Sequence, residues 1–232
     1  MEIVANEGSL PHSYVELLLA AGEAVHVLHP GQIVAFHGES AQREDRFMNL
    51  QGMYRKKKLI RARLSGPARL LLALPSGYTL HTIPLGGNED LLFDFRHLLF
   101  YTEQIEMKSV VQSLKNVIAT KDLMRVKFFG QGSIGLICAG PVIPWKLESA
   151  APSYIDASTL IAFPHNASIE LCVYGNHLAS QHMNYQWKVT GEGSALLQAG
   201  KPDAQLDRFV GQDSLIKRLL REILPFGGVW IK

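Results

Sequence analysis

An apolar four-residue block occurs three times along this chain, in one order and with nearly the same surroundings. Ile33-Val34-Ala35-Phe36, Leu98-Leu99-Phe100-Tyr101 and Leu160-Ile161-Ala162-Phe163 are offset by 65 and 62 residues. Each follows a leucine at near-constant distance: Leu19 precedes Phe36 by 17 positions, Leu85 precedes Tyr101 by 16, and Leu147 precedes Phe163 by 16. A glycine turn follows each aromatic after 30, 29 and 28 positions, at Gly66-Pro67-Ala68, Gly130-Gln131-Gly132 and Gly191-Glu192-Gly193. Blocks that keep their order while the gaps barely drift point to a triplicated unit of about 60–65 residues, with copies over about 14–75, 76–140 and 141–200. Self-similarity at such a period constrains the architecture before any other feature.

The segments leading into the glycine turns alternate apolar with polar residues: Ile60-Arg61-Ala62-Arg63-Leu64, then Met124-Arg125-Val126-Lys127-Phe128, then Tyr185-Gln186-Trp187-Lys188-Val189. Period-two alternation rich in β-branched and aromatic residues, closed by glycine, is the pattern of a half-buried strand. The segment from Tyr14 to Ala21 has helical propensity and Gly22 could stop it as a helix. Its register with Leu85 and Leu147 favours a strand instead. The expected fold is all-β: small antiparallel strand sets in series over residues 1–200, forming a sandwich or jelly-roll stack.

The 232 residues are 47% hydrophobic and 19% charged, with a net charge of +2. That balance describes a globular chain with a core large enough to need no metal or disulfide staple. It excludes a dominant nucleic-acid-binding charge but leaves room for a local patch. Cys138 and Cys172 both lie in apolar runs and read as buried thiols, as expected in a reducing cytoplasm. The first residues carry neither a signal-peptide nor a transit pattern. The longest uncharged stretch, Phe128 to Trp145, is broken by glycines and prolines, so no membrane segment is expected.

The motif order Leu-Ala-Ala-Gly-Glu-Ala-Val (19–25), Gly31 to Phe36, Gly66, Asp94 with Leu98-Leu99, Gly130-Gln131-Gly132, Asp156 with Leu160-Ile161-Ala162, and Gly191 to Gln198 resembles the altered-inheritance-of-mitochondria protein 24 family over residues 14–200. The resemblance implies a fold like the tryptophan RNA-binding attenuation protein, repeated along one chain, with homotrimers forming a ring. It implies no catalytic residues, and a role in mitochondrial organisation for a eukaryotic member. The first copy departs from the pattern, with Gly-Pro-Ala at its turn and His29 where the others carry Asp94 and Asp156.

Chemical motifs are sparse. Gly130-Gln131-Gly132-Ser133-Ile134-Gly135 matches the dinucleotide fingerprint as a string. That fingerprint works only when a helix follows, because the helix amino end holds the pyrophosphate. Here Leu136 to Pro144 is strand-like and broken by proline. The nine histidines show no metal-ligand spacing: His26 and His29 fall on opposite faces of a strand, and His177 and His182 stand in a polar stretch. Glu89-Asp90 sits in a Gly-Gly-Asn turn, where solvation accounts for it. No catalysis, cofactor or metal is expected.

One basic cluster stands out, Arg55-Lys56-Lys57-Lys58 followed by Arg61 and Arg63, with no acid between positions 55 and 63. Alternation places Arg61 and Arg63 on one outward face. Repeated in a ring it would form a belt able to hold nucleic acid or anionic lipid headgroups, against the plainer reading of a solvated connection. Beyond residue 200 the pattern changes. Leu215, Ile216, Leu219, Leu220, Ile223 and Leu224 form an amphipathic helix over about 213–224, capped by Asp213 or Ser214 and stopped by Pro225. Such a helix packs on its own protein, docks a partner protein or lies at a membrane surface. The expectation from sequence is therefore a cytoplasmic, non-enzymatic, ring-forming homotrimeric scaffold, with a nucleic-acid- or ligand-binding module around residues 55–63 as the alternative.

Overall fold

Alternation becomes strand wherever one face is buried. In Ile60–Ser65 the residues Ala62 and Leu64 are sealed in the core while Arg61 and Arg63 remain half-exposed. The computed structural model describes residues 1–5, 14–48, 59–87, 90–111, 124–173 and 185–200, and among these the regular structure is nineteen strands and three short 3-10 turns. The strands are β1 (Glu2–Ala5), β2 (Tyr14–Leu19), β3 (Ala24–Val27), β4 (Ile33–His37), β5 (Arg43–Phe47), β6 (Ile60–Ser65) and β7 (Ala68–Ala73). They continue with β8 (Thr79–Gly86), β9 (Leu91–Asp94), β10 (Leu98–Thr102), β11 (Glu106–Val111), β12 (Met124–Phe129) and β13 (Gln131–Cys138). The last are β14 (Val142–Leu147), β15 (Ser153–Asp156), β16 (Leu160–Pro164), β17 (Ser168–Val173), β18 (Tyr185–Thr190) and β19 (Gly193–Gln198). The protein is all-β, and Tyr14 to Leu19 is a strand.

Four sheets follow one another, in the orders β1-β2-β7-β4, β5-β6-β3-β10-β13-β8, β11-β12-β9-β16-β19-β14 and β15-β18-β17. The second six-stranded sheet repeats the first with every strand number raised by six. Each is a trio built on a hairpin (β5-β6-β3, β11-β12-β9) joined edge to edge to a later trio (β10-β13-β8, β16-β19-β14). The joins are antiparallel ladders: β3 with β10, Phe100 opposite Val27 and Tyr101 opposite His26, and β9 with β16, Ala162 opposite Phe93 and Phe163 opposite Leu92.

Three cores lie in series between the four sheets. The first gathers Val15, Leu17, Leu70 and Leu72 against Val25, Leu64, Leu99 and Phe100. The second holds Leu98, Tyr101, Ile134 and Leu136 against Phe93, Val126, Phe128 and Ile161. The third packs Leu92, Leu160 and Phe163 on Ile155, Trp187 and Val189. A strand at a join therefore buries both faces, Leu98 and Tyr101 on one side and Leu99 and Phe100 on the other. This is why its sequence is a continuous apolar run in place of an alternating one. Such burial contributes roughly 1.5–3 kcal/mol per large side chain.

The string Gly130 to Gly135 opens strand β13, with no helix after it, so the pyrophosphate-binding geometry is missing. Its first glycine has a backbone reason: φ is +98°, and an added Cβ would lie 2.4 Å from the Gln104 carbonyl oxygen. Gly77 shares the positive φ, +79°, but has nothing within 4 Å of a new Cβ. Gly130→Ala is expected to lower unfolding stability by roughly 2–3 kcal/mol and Gly77→Ala by about 1 kcal/mol. Parallel urea titrations of the two variants check the ordering, and equal losses would contradict the close approach.

Candidate functional site

Two sheet edges differ from the others because their six-strand counterparts are interior. Strands β10 and β16 are buried almost throughout, yet β4, which carries the same apolar motif, leaves Val34 64% exposed and has Ala35 and His37 open. Strand β3 is buried at all four positions, while its counterpart β15 leaves Tyr154 44% exposed. Strand β4 ends the first sheet and β15 begins the last. An uncovered edge presents unpaired backbone donors and acceptors, and one rimmed with Val, Phe and Tyr is adhesive. Trp145 lies beside β15, its indole Nε1 donating to Ser153 Oγ at 3.1 Å.

The β3–β10 join carries the polar cluster. Across three adjacent strands Arg63 faces His26, and His26 faces Tyr101. The His26 ring stacks on Tyr101 at 4.7 Å between centroids. His26 Nε2 lies 3.0 Å from Glu103 Oε2, and Arg63 Nε donates to both Glu103 oxygens at 3.1 Å. Arg61 donates from Nη1 to the Tyr101 hydroxyl. A cavity of about 570 Å³ opens beside them. Burial holds His26 well below the usual imidazole range, the nearby Arg61 guanidinium adds to this, and Glu103 opposes it.

At the β9–β16 join the same places hold different chemistry. Lys127, Leu92 and Phe163 replace Arg63, His26 and Tyr101 in the cross-strand row. Behind them Asp94, fully buried, meets Arg96 Nη2 at 2.6 Å and Arg125 Nη1 at 3.2 Å, and the Arg125 guanidinium lies 5.7 Å from the Phe163 ring centre. Burial alone would raise the Asp94 carboxyl, but the two guanidiniums outweigh it and hold it far below the carboxylate range. Asp94 Oδ1 also accepts from the Arg96 amide at 2.9 Å, and Asp156 Oδ1 accepts from the Ser158 amide at 2.8 Å. His29, in the corresponding place, caps nothing through its side chain.

Of the residues singled out from sequence, Arg61 and Arg63 come together, and both lean onto the β10 segment. Arg55, Lys56, Lys57 and Lys58 lie outside the described residues, as does the helix expected over 213–224. The alternation of β6 located the arginines, but not His26, Tyr101 or Glu103, because a cross-strand row depends on pairing distant segments. Tyr101 did stand out as the aromatic of the repeated motif. Cys138 and Cys172 are free thiols, and burial pushes Cys138 up to about 12. Among the described residues no three His, Cys, Asp or Glu side chains converge as a metal site, and no helix is long and apolar enough to cross a membrane.

His29 gives a pH test of this region. Burial pushes it down from 6.5 to about 4, partly opposed by a hydrogen bond with the Leu98 backbone. The unfolded chain protonates His29 near 6.5 and the folded chain resists until about 4, so its contribution is complete above pH 6.5 and is lost as pH falls between these values. Stability should drop by up to about 3 kcal/mol over that window from this group. His29→Gln should flatten the slope of unfolding free energy against pH. An unchanged slope would show that His29 is not the group responsible.

Residues 5–200 match the family model described as mitochondrial biogenesis AIM24. A crystal structure of a protein from Streptococcus pyogenes is similar in fold, with a TM-score of 0.62 at 15% identity, covering 96% of this chain and 100% of that one. No curated protein matches significantly in sequence.

Proposed function

The chain belongs to the mitochondrial biogenesis AIM24 family, and we propose that it is a non-enzymatic scaffold or interaction protein whose copies close into a ring through strands β4 and β15. The pairing pattern supports a triplicated unit of six strands, over about 14–75, 76–140 and 141–200, each unit giving one trio to one sheet and one trio to the next. Within the chain, the third strand of a unit always meets the second strand of the preceding unit. β10 pairs with β3 and β16 with β9, both antiparallel. That leaves β4 without a predecessor and β15 without a successor.

Carrying the same register across two copies sets Ala35 opposite Ile155, Phe36 opposite Tyr154 and His37 opposite Ser153. The exposed run of β4 then gains the burial its counterparts have, and Tyr154 takes the place of His26 and Leu92 in the cross-strand row. Identical joins made head to tail generate a closed ring when the rotation permits. Three copies per ring is the number implied by the family resemblance. A belt of nucleic acid over residues 55–63 draws less support, since Arg63 is matched by Glu103 and Arg61 faces Tyr101.

The single observation behind this reading is the exposure of β4 where β10 and β16 are buried. Light scattering of the full chain at micromolar concentration should give a trimer, and Val34→Glu combined with Phe36→Asp should give a folded monomer. Phe36→Cys with Tyr154→Cys should form a disulfide between copies under mild oxidation. A monomeric wild-type chain would overturn the proposal.

A further inference from the structure

The cavity at the β3–β10 join has an uneven charge balance. Among the described residues, Glu103 is matched by Arg63, and Glu106 by Lys108 with Nζ to Oε1 at 3.5 Å. His26 is neutral at pH 7, for the reasons given above. Arg61, which also lines the cavity, has as its partner the uncharged Tyr101 hydroxyl. The Tyr101 ring is itself fixed, buried between His26 and Phe128. The guanidinium is thus positioned by a rigid neighbour while its charge stays uncompensated by any described carboxylate.

Beside the two paired glutamates and Gln104, the lining includes one apolar stretch. Phe47, Met48, Ile105 and Met107 line the same space. Met48 and Ile105 are buried, and Phe47 is exposed at the end of β5. A cavity of about 570 Å³ is within the size range of small-molecule sites. Thioethers adapt to flexible chains, and an arginine held in place takes a carboxylate through two parallel hydrogen bonds.

We propose that this cavity binds a medium-chain alkyl carboxylate, with the head group on Arg61 and the chain along Phe47, Met48, Ile105 and Met107. The site lies within one chain, so it is independent of ring closure, and failure of either proposal leaves the other standing.

The test is a titration of the full chain, labelled with ¹³C at the methionine methyls, with decanoate, decanol and acetate at pH 7.5. Met48→Leu and Met107→Leu assign the two resonances. Decanoate should shift both saturably, decanol should bind more weakly, and acetate should leave them unmoved. Arg61→Gln should weaken decanoate by about tenfold or more and leave decanol unchanged. Arg61→Lys, which keeps the charge, should retain part of the binding, and thermal melts of both variants confirm folding. The proposal is overturned if neither methyl responds to decanoate up to about 1 mM, a Kd beyond which the contacts would be worth under roughly 4 kcal/mol. It is equally overturned if wild type and Arg61→Gln bind decanoate alike.

Discussion

The edge-to-edge joins of β3 with β10 and of β9 with β16 are the constraint on which the structure depends. A trio such as β5-β6-β3 cannot stand by itself, because β3 would leave a row of backbone donors and acceptors open. Pairing with β10 satisfies that row and creates a six-stranded sheet with cores on both faces. The cost is that the joining strand must be apolar on both sides. Leu98 to Tyr101 and Leu160 to Phe163 meet that demand. Ile33 to Phe36 meets it too, although in a single chain β4 has a neighbour on one side only.

Identical backbone geometry carries different chemistry at the two joins. At β9–β16 the row Lys127, Leu92, Phe163 is backed by a buried carboxylate between two guanidiniums. Removing one member of such a group would leave an uncompensated buried charge, which makes it a strict structural fixture. At β3–β10 the row Arg63, His26, Tyr101 keeps the charged Arg63 half-exposed, and a cavity opens beside it. The polar differences between the two six-stranded sheets thus concentrate at these joins.

Much of this was legible in the residues. The segments leading into the glycine turns read as strands, and alternation in Ile60 to Leu64 placed Arg61 and Arg63 outward. For Tyr14 to Ala21 the register of Leu19 with Leu85 and Leu147 favours a strand over a helix, and β2 is that strand. The string Gly130 to Gly135 was rejected as a nucleotide motif because a strand pattern follows it, and β13 is that strand. The partners of Arg61 and Arg63 could not be read in this way. His26 and Tyr101 are 75 positions apart and become neighbours only through the β3–β10 ladder.

The sequence by itself determined which segments become strands and that each must bury an apolar face, because periodicity and side-chain type act within a few residues of one another. It also carried the mismatch between the apolar run of β4 and a lone chain's ability to cover it. Only the tertiary structure decided how the strands are divided among four sheets, which strand closes each join, and that Tyr101 holds Arg61 beside a cavity. Those outcomes depend on the pairing of backbone edges far apart along the chain, and hydrogen-bonding groups that are the same in every residue leave no mark in composition or spacing.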